Sequence, residues 1–319
     1  MRRVFFVVLP RVHMLDLGGP MQVLESLAGL GIASVPLRCV GPRHEITSAQ
    51  GAALTALHPL PKHLERGDVV IVIGSRLALD APVTPEQLEA IAWLQTVVAP
   101  RLPEITLASV CTGAFLLGAA GLLDGRHCTT HHDYLERLQK LYPAARVLSN
   151  RLLLEDAGLI TSAGVSAGID LALLLIVRHF GEAAAIRVAR ENVVPFRRLG
   201  HDPALDAQLR YRNHGHPVIH AVQDFLTAQP ASTLPYEALA SRFAVSYRHL
   251  ARLFQQECGV TLKQYQQQLR IAMARRLLKG GDWSVERVAE ACGFASPQAF
   301  RAAWRQEESL PPARWRTQA

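Results

Sequence analysis

EALASRFAVSYRHLARLFQQE (237–257) and ERVAEACGFASPQAFRAAWRQE (286–307) carry one pattern twice. Leu239, Ala240, Phe243 and Val245 match Val288, Ala289, Cys292 and Phe294 at one constant offset. After a single extra residue in the second turn, Ser246, Leu250 and Phe254 match Ser296, Phe300 and Trp304. Each copy reads as a short apolar helix, a tight turn and a Ser-capped second helix. That is a helix-turn-helix, the device that lays a helix in the DNA major groove. Turn, cap and core positions agree together, which separates the pattern from a helical bundle with a chance self-match.

The first recognition helix, capped by Ser246, presents Tyr247, Arg248, His249 and Arg252 outward and Leu250, Leu253 and Phe254 inward. The second, capped by Ser296, offers Gln298, Arg301 and Arg305. Arg and His there can contact guanine edges, whereas contacts to phosphate position a protein without specifying sequence. Between the copies, Thr261 to Lys279 reads as one helix, with Thr261 as N-cap and Gln264 completing a capping box. Leu262, Tyr265, Leu269, Ala272, Met273 and Leu277 give it helical periodicity, and Gly280–Gly281 ends it. At 1.5 Å per residue the rod is about 28 Å long, which suits helices entering successive major grooves about 34 Å apart.

These stretches carry a family resemblance. Residues 216–319 resemble the DNA-binding domain of the AraC/XylS transcription regulators, most clearly in SYRHLARLFQQECGVTLKQYQQQLRIAMARRLL and VERVAEACGFASPQAFRAAWR. One stretch departs: where the family has a glycine and Ser-Pro, this chain has Gln306-Glu307-Glu308-Ser309-Leu310-Pro311-Pro312. Two carboxylates there are expected to repel phosphates.

Charge agrees with that division. From residue 216 onward the chain has 13 Lys and Arg against 8 Asp and Glu, and before it 21 against 19. Basic charge concentrated in the shorter segment suits phosphate contact there. At 319 residues and 49% hydrophobic, the chain is long enough for two packed domains and too apolar for disorder. The five cysteines show no CxxC spacing, so neither a zinc site nor a disulfide framework is expected. His58, His63, His201, His214 and His216 fall in expected loops without HExxH spacing. MRRVFFVVLP is basic then apolar, but its run stops at Pro10, so it reads as a first strand rather than a targeting segment. No run approaches a transmembrane helix, and a cytoplasmic location is expected.

The N-terminal two-thirds alternate strand and helix. VFFVVLP, VPLRCVG, VVIVIGS and ITLASVC read as buried parallel strands, with helices at 20–30, 84–98 and 112–120. Thr84, Pro85 and Gln87 form the capped start of the second helix, and LALLLIV (171–177) is a buried helical turn. The fold class is therefore α/β: a doubly wound, flavodoxin-like parallel sheet followed by an all-α domain with two helix-turn-helix motifs. The expected boundaries are 1–198, a Gly/His/Pro-bearing linker at 199–215, and 216–319.

SVCTGAFLLGAAGLLDG places Cys111 at a strand-to-helix elbow, where a helix N-terminus lowers a thiol pKa and offers N–H groups to an anion or carbonyl. LDLGGPMQVLES, SVCTGAFLLGAAGLLDGRHCTTHH and TSAGVSAGIDLAL resemble the class I glutamine amidotransferase-like superfamily in its PfpI-like branch, over about residues 1–195. The resemblance implies that Cys111 is the elbow cysteine, that Asp16 approaches its sulfur, and that Gly74 and Thr112 line the pocket. His131 matches the histidine of a Thr-Thr-His-Trp motif, and Thr130 adds a hydroxyl. Three positions depart from the catalytic pattern: Thr112 where a histidine base often follows the nucleophile, His132 for the tryptophan, and Gln22 for a glutamate.

A ligand-responsive regulator is therefore expected, with Asp16, Gly74, Cys111, Thr112, Thr130 and His131 binding a small polar, nitrogen-containing effector. The alternative is a cysteine-dependent amidase or hydratase carrying a DNA-binding domain. No cofactor and no metal are expected. The expected partners are double-stranded promoter DNA, the effector and a second copy of the chain, with RNA polymerase open as a further partner. The family resemblance and the apolar stretch at 165–177 underlie the expected homodimer.

Overall fold

The computed structural model describes residues 1–76, 83–149, 151–194, 211, 214–279, 283–308 and 310–318. The chain divides into two compact units, Met1–Ala204 and Leu205–Ala319. Of the expected linker, only Tyr211, His214 and Gly215 are among the described residues; His201, Gly280, Gly281 and Ser309 lie outside them.

The N-terminal unit runs β1 (Val4–Val7), α1 (Met14–Gly29), β2 (Leu37–Val40), β3 (Ile46–Thr47), β4 (Ala53–Leu54), β5 (Val69–Val72) and α2 (Pro85–Trp93). It continues with β6 (Thr106–Val110), α3 (Gly113–Ala119), β7 (His127–Cys128), α4 (Leu135–Leu141), β8 (Arg146–Val147), β9 (Leu153–Asp156), β10 (Leu159–Ser162), α5 (Ala167–Phe180) and α6 (Glu182–Glu191). The main sheet has the order β2-β1-β5-β6-β10-β9, parallel except for the antiparallel β9. Alternation along the strands splits the core cleanly. Val4, Phe6, Val69, Ile71, Ala108 and Ile160 face α1, α5 and α6, while Phe5, Val7, Val70, Val72, Leu107 and Leu159 face α2, α3 and α4. Both faces are covered, which is why these strands read as continuous apolar runs.

Three details differ from expectation. Helix α1 starts at Met14 rather than at residue 20 and carries Pro20 inside it. Leu17, Val23, Leu24 and Leu27 are buried along it, and this packing outweighs the hydrogen bond lost at Pro20. The sheet also has a fifth parallel strand, β10, with β9 beside it. Its four residues, LITS, are too short and mixed to stand out from the sequence. Helix α2 keeps the expected Thr84–Gln87 capping box and passes into a wider π-helical turn at Leu94–Val98.

The C-terminal unit is helical: α7 (Pro217–Ala228), α8 (Tyr236–Arg242), α9 (Tyr247–Cys258), α10 (Leu262–Lys279), α11 (Val285–Ala291), α12 (Pro297–Glu307) and α13 (Pro312–Gln318). The two turns match: Ala244 at φ 56° and Gly293 at φ 75° reverse the chain through the left-handed region. Two separate cores form. Leu239, Leu250 and Phe254 pack with Leu262, Tyr265 and Leu269, and Val288, Phe300 and Trp304 pack with Ile271, Ala274 and Leu278. Helix α10 thus changes its buried face midway, because at 100° per residue Leu269 and Ile271 point in nearly opposite directions. The expected single stripe through Ala272, Met273 and Leu277 gives way to this double allegiance, leaving those three half-buried.

Candidate ligand pocket and DNA interface

Strands β1, β5 and β6 deliver Asp16, Gly74 and Cys111 to the same, C-terminal edge of the sheet. In open α/β sheets the crevice lies at that edge where strand order reverses, here between β1 and β5. Asp16 sits in the first turn of α1 and is fully buried. Its Oδ1 accepts the Val165 N–H at 2.7 Å. Oδ2 is buried without a hydrogen-bond partner of ordinary geometry, and the polar group coupled to it is the Cys111 thiol. Gly74 lies between the two: a Cβ there would fall 2.4 Å from Asp16 Oδ2 and 2.8 Å from Cys111 Cβ.

Cys111 adopts φ 56°, a left-handed conformation that costs a non-glycine residue about 1–3 kcal/mol. Val165, across from it, adopts φ 51°. Gly164 presses on the elbow, since a Cβ there would lie 2.3 Å from Cys111 Cβ and 2.6 Å from Sγ.

The lowered thiol pKa expected from the helix terminus does not occur. Burial pushes the Cys111 thiol well up and the neighbouring Asp16 charge adds to this, while the Thr112 backbone N–H opposes without prevailing. Burial also raises the Asp16 carboxyl, against the pull of the Val165 N–H, the thiol and His13. Burial thus pushes both groups upward. The thiol stays neutral and weakly nucleophilic at ordinary pH.

Thr112 and Thr130 bond to the backbone of the elbow. Thr112 Oγ1 donates to the Ser75 carbonyl at 2.7 Å and accepts the Ser75 N–H at 3.0 Å, tying the exit of β5 to the turn. Thr130 Oγ1 donates to the Cys111 carbonyl at 2.8 Å. His131 is half-buried; its Nδ1 accepts the Asp133 N–H at 3.4 Å and its ring lies 4.2 Å from that of His132. Burial, then His132, lowers its pKa, so the imidazole is neutral. Ligand atoms of His131, His132 and Asp133 lie within 4.8 Å of one another, the one group among the described residues able to gather round a metal ion. HExxH spacing does not describe three contiguous residues. Val165, Gly164 and Ser75 were likewise illegible as site residues, because a left-handed valine and a backbone contact leave no sequence pattern.

In the C-terminal unit, Ser246 Oγ accepts the His249 N–H at 3.3 Å and Ser296 Oγ accepts the Ala299 N–H at 3.1 Å. Both serines are therefore helix caps, with their acceptor function engaged. Tyr247, Arg248, His249 and Arg252 are exposed on α9, and Leu250 and Phe254 are buried behind them. The Tyr247 ring lies parallel to that of Tyr236, 6.1 Å away. On α12, Gln298, Arg301 and Arg305 are exposed. Arg301 pairs with Glu286 at 2.8 Å, an exposed contact worth about 0–1 kcal/mol that phosphate or base can displace. The expected phosphate repulsion by Glu308 is corrected: its side chain is buried and bonds the buried Arg275 guanidinium at 2.8 Å.

Residues 2–178 match the DJ-1/PfpI family, and residues 239–318 match a helix-turn-helix domain. The chain belongs to the DJ-1/PfpI family. This DJ-1/PfpI chain is similar along most of its length to the HTH-type transcriptional regulator CdhR of Pseudomonas aeruginosa. The two are 32% identical over 304 residues, 90% of this chain and 87% of that one. With its helix-turn-helix domain, this chain is a transcription regulator. An isonitrile hydratase of Pseudomonas putida is 34% identical over 178 residues, 54% of this chain and 70% of the enzyme. In fold, the chain resembles the crystal structure of an AraC family transcriptional regulator from Pseudomonas putida, with TM-score 0.50 at 23% identity over 60% of this chain and 100% of that one. Among the described residues no helix is long and apolar enough to cross a membrane.

Proposed function

We propose that the DJ-1/PfpI unit binds a small polar, nitrogen-containing effector without turning it over and dimerises, and that α9 and α12 read promoter DNA in the cytoplasm. What supports the sensing half is the buried Asp16 carboxyl beside Cys111. Asp16 Oδ2 has an unmet hydrogen-bonding capacity, and a cationic nitrogen brought there would favour the ionised carboxylate. A thiol held protonated is a weak nucleophile, which favours a binding role over the role of the isonitrile hydratase relative. A regulator must bind its effector better in one conformation than in another. Activation at a promoter would bring in RNA polymerase as a further partner.

The test is DNA affinity of the full chain measured with and without amino-acid derivatives and quaternary amines, for wild type, Cys111→Ala and Asp16→Ala. Both variants should lose the effector response and keep their basal DNA affinity. Steady turnover of amides, peptides or isocyanides, abolished by Cys111→Ala, would establish the enzyme reading instead. Sedimentation showing a strict monomer at micromolar concentration would remove the dimer.

A further inference from the structure

Because α10 serves two separate cores on different faces, core packing alone leaves the two helix-turn-helix units joined by one rod. A second connection crosses between them at the loop Pro230–Ser232, which precedes α8. Gln266, on α10, is 4% exposed and has its amide fully engaged. Its Nε2 donates to the carbonyls of Ser232 at 2.8 Å and Pro230 at 3.3 Å, and its Oε1 accepts the Tyr236 hydroxyl at 2.8 Å. One turn along, Arg270 donates through Nε to Pro230 O at 3.0 Å and through Nη2 to Ser232 O at 2.7 Å. Two loop carbonyls thus take four donor contacts from α10.

The same loop touches the turn of the second unit. A Cβ on Gly293 would lie 2.4 Å from the Ala231 carbonyl oxygen, and Gly293 is itself in the left-handed region. The neighbouring Phe294 ring lies 5.7 Å from the Arg270 guanidinium. At the other end, Tyr236, bonded to Gln266, stacks on Tyr247, the first residue of the first recognition helix. An unbroken series of contacts therefore runs from α9 through Tyr236, Gln266 and the Pro230–Ser232 loop to the turn that launches α12.

We propose that the Pro230–Ser232 loop, clamped by Gln266 and Arg270 and seated against Gly293, is a spacing gauge. It fixes the separation and relative rotation of the two recognition helices, so that the protein accepts its two half-sites at one separation only. Gln266 and Arg270 act as positioning residues: they touch no DNA and set where the reading residues fall. The proposal rests on the reading that both α9 and α12 enter DNA. One inserted base pair moves the second half-site by about 3.4 Å and about 35°. A rigid pair of helices cannot follow that movement, whereas a pair held by α10 alone can bend towards it.

The full chain is first used to select binding sites from random DNA, and the selected site is then remade with one or two base pairs inserted or removed between its halves. Wild type should lose at least about tenfold in affinity on each altered site, the loss of a base contact or more. Gln266→Leu, and Tyr236→Phe as a milder second variant, should bind the original site more weakly and reduce that spacing penalty to about threefold or less. A structural defect without a gauge would weaken all sites equally and leave the ratio at its wild-type value. That outcome, in both variants, overturns the gauge. Selection of a single half-site, or no enrichment at all, would refute the two-helix DNA reading itself and with it the gauge.

Discussion

Glu308→Ala tests a site where expectation from sequence and structure point in opposite directions. If the carboxylate faced DNA, its removal would strengthen binding and leave the fold alone. In the structure Glu308 and Arg275 are 6% and 7% exposed and joined at 2.8 Å, linking the end of α12 to the second half of α10. Removing one partner of a buried ion pair leaves the other charge uncompensated and costs about 3–5 kcal/mol. For a unit of this size each kcal/mol lowers the thermal midpoint by roughly 4–8 °C, so the C-terminal transition should fall by at least about 12 °C. Calorimetry of the full chain reads this directly, since the N-terminal unit's transition serves as the internal reference. The apolar double variant Arg275→Met/Glu308→Leu should recover most of the loss, because replacing both partners removes the unpaired charge. Wild-type melting of Glu308→Ala, together with tighter DNA binding, would show that the carboxylate is not structural and would refute the reasoning.

Arg248→Ala and Arg252→Ala should each weaken specific binding by about 1–3 kcal/mol, or roughly 5–150-fold, in a mobility-shift titration; no change in either would mean that α9 presents a different face. Gly164→Ala should destabilise the N-terminal unit by about 2 kcal/mol or more in chemical denaturation, because φ 93° and a 2.3 Å approach to Cys111 Cβ both oppose a side chain. Asp16→Asn should raise the N-terminal midpoint at neutral pH, with the gain shrinking towards acid. A carboxyl whose pKa is raised on folding adds stability only while protonated, and that stability is lost as pH climbs through the folded pKa. A gain that persisted unchanged at acid pH would contradict the assignment.

The helical third was legible because its signals are local and repeated. Ser246 and Ser296 cap, Leu250 and Phe300 are buried, and Ala244 and Gly293 turn, each at its matching place. Parallel strands buried on both faces also stand out, as β1 and β5 do. What stayed hidden was set by long-range contact. Glu308 looks like an exposed acid until α12 packs it on Arg275, and Pro20 looks like a helix start until α1 is seen to run through it. At the elbow, Cys111 and Asp16 could be named from motifs, but the sign of the thiol's pKa shift depends on burial that no motif encodes.

The order of the main sheet bears on how the chain is made. β1 pairs with strands beginning at Leu37 and Val69, and β6 completes its pairing only when Leu159–Ser162 has been synthesised. Such distant pairings require loop closure before any contact stabilises them, so this unit folds late on the ribosome relative to its own length. Until β10 arrives, β6 offers a row of unpaired N–H and C=O groups on an apolar strand, a template for joining another nascent chain. A fragment ended before residue 159 keeps that edge permanently and should aggregate. One carried through α6 closes the sheet and covers the face to which α5 and α6 contribute.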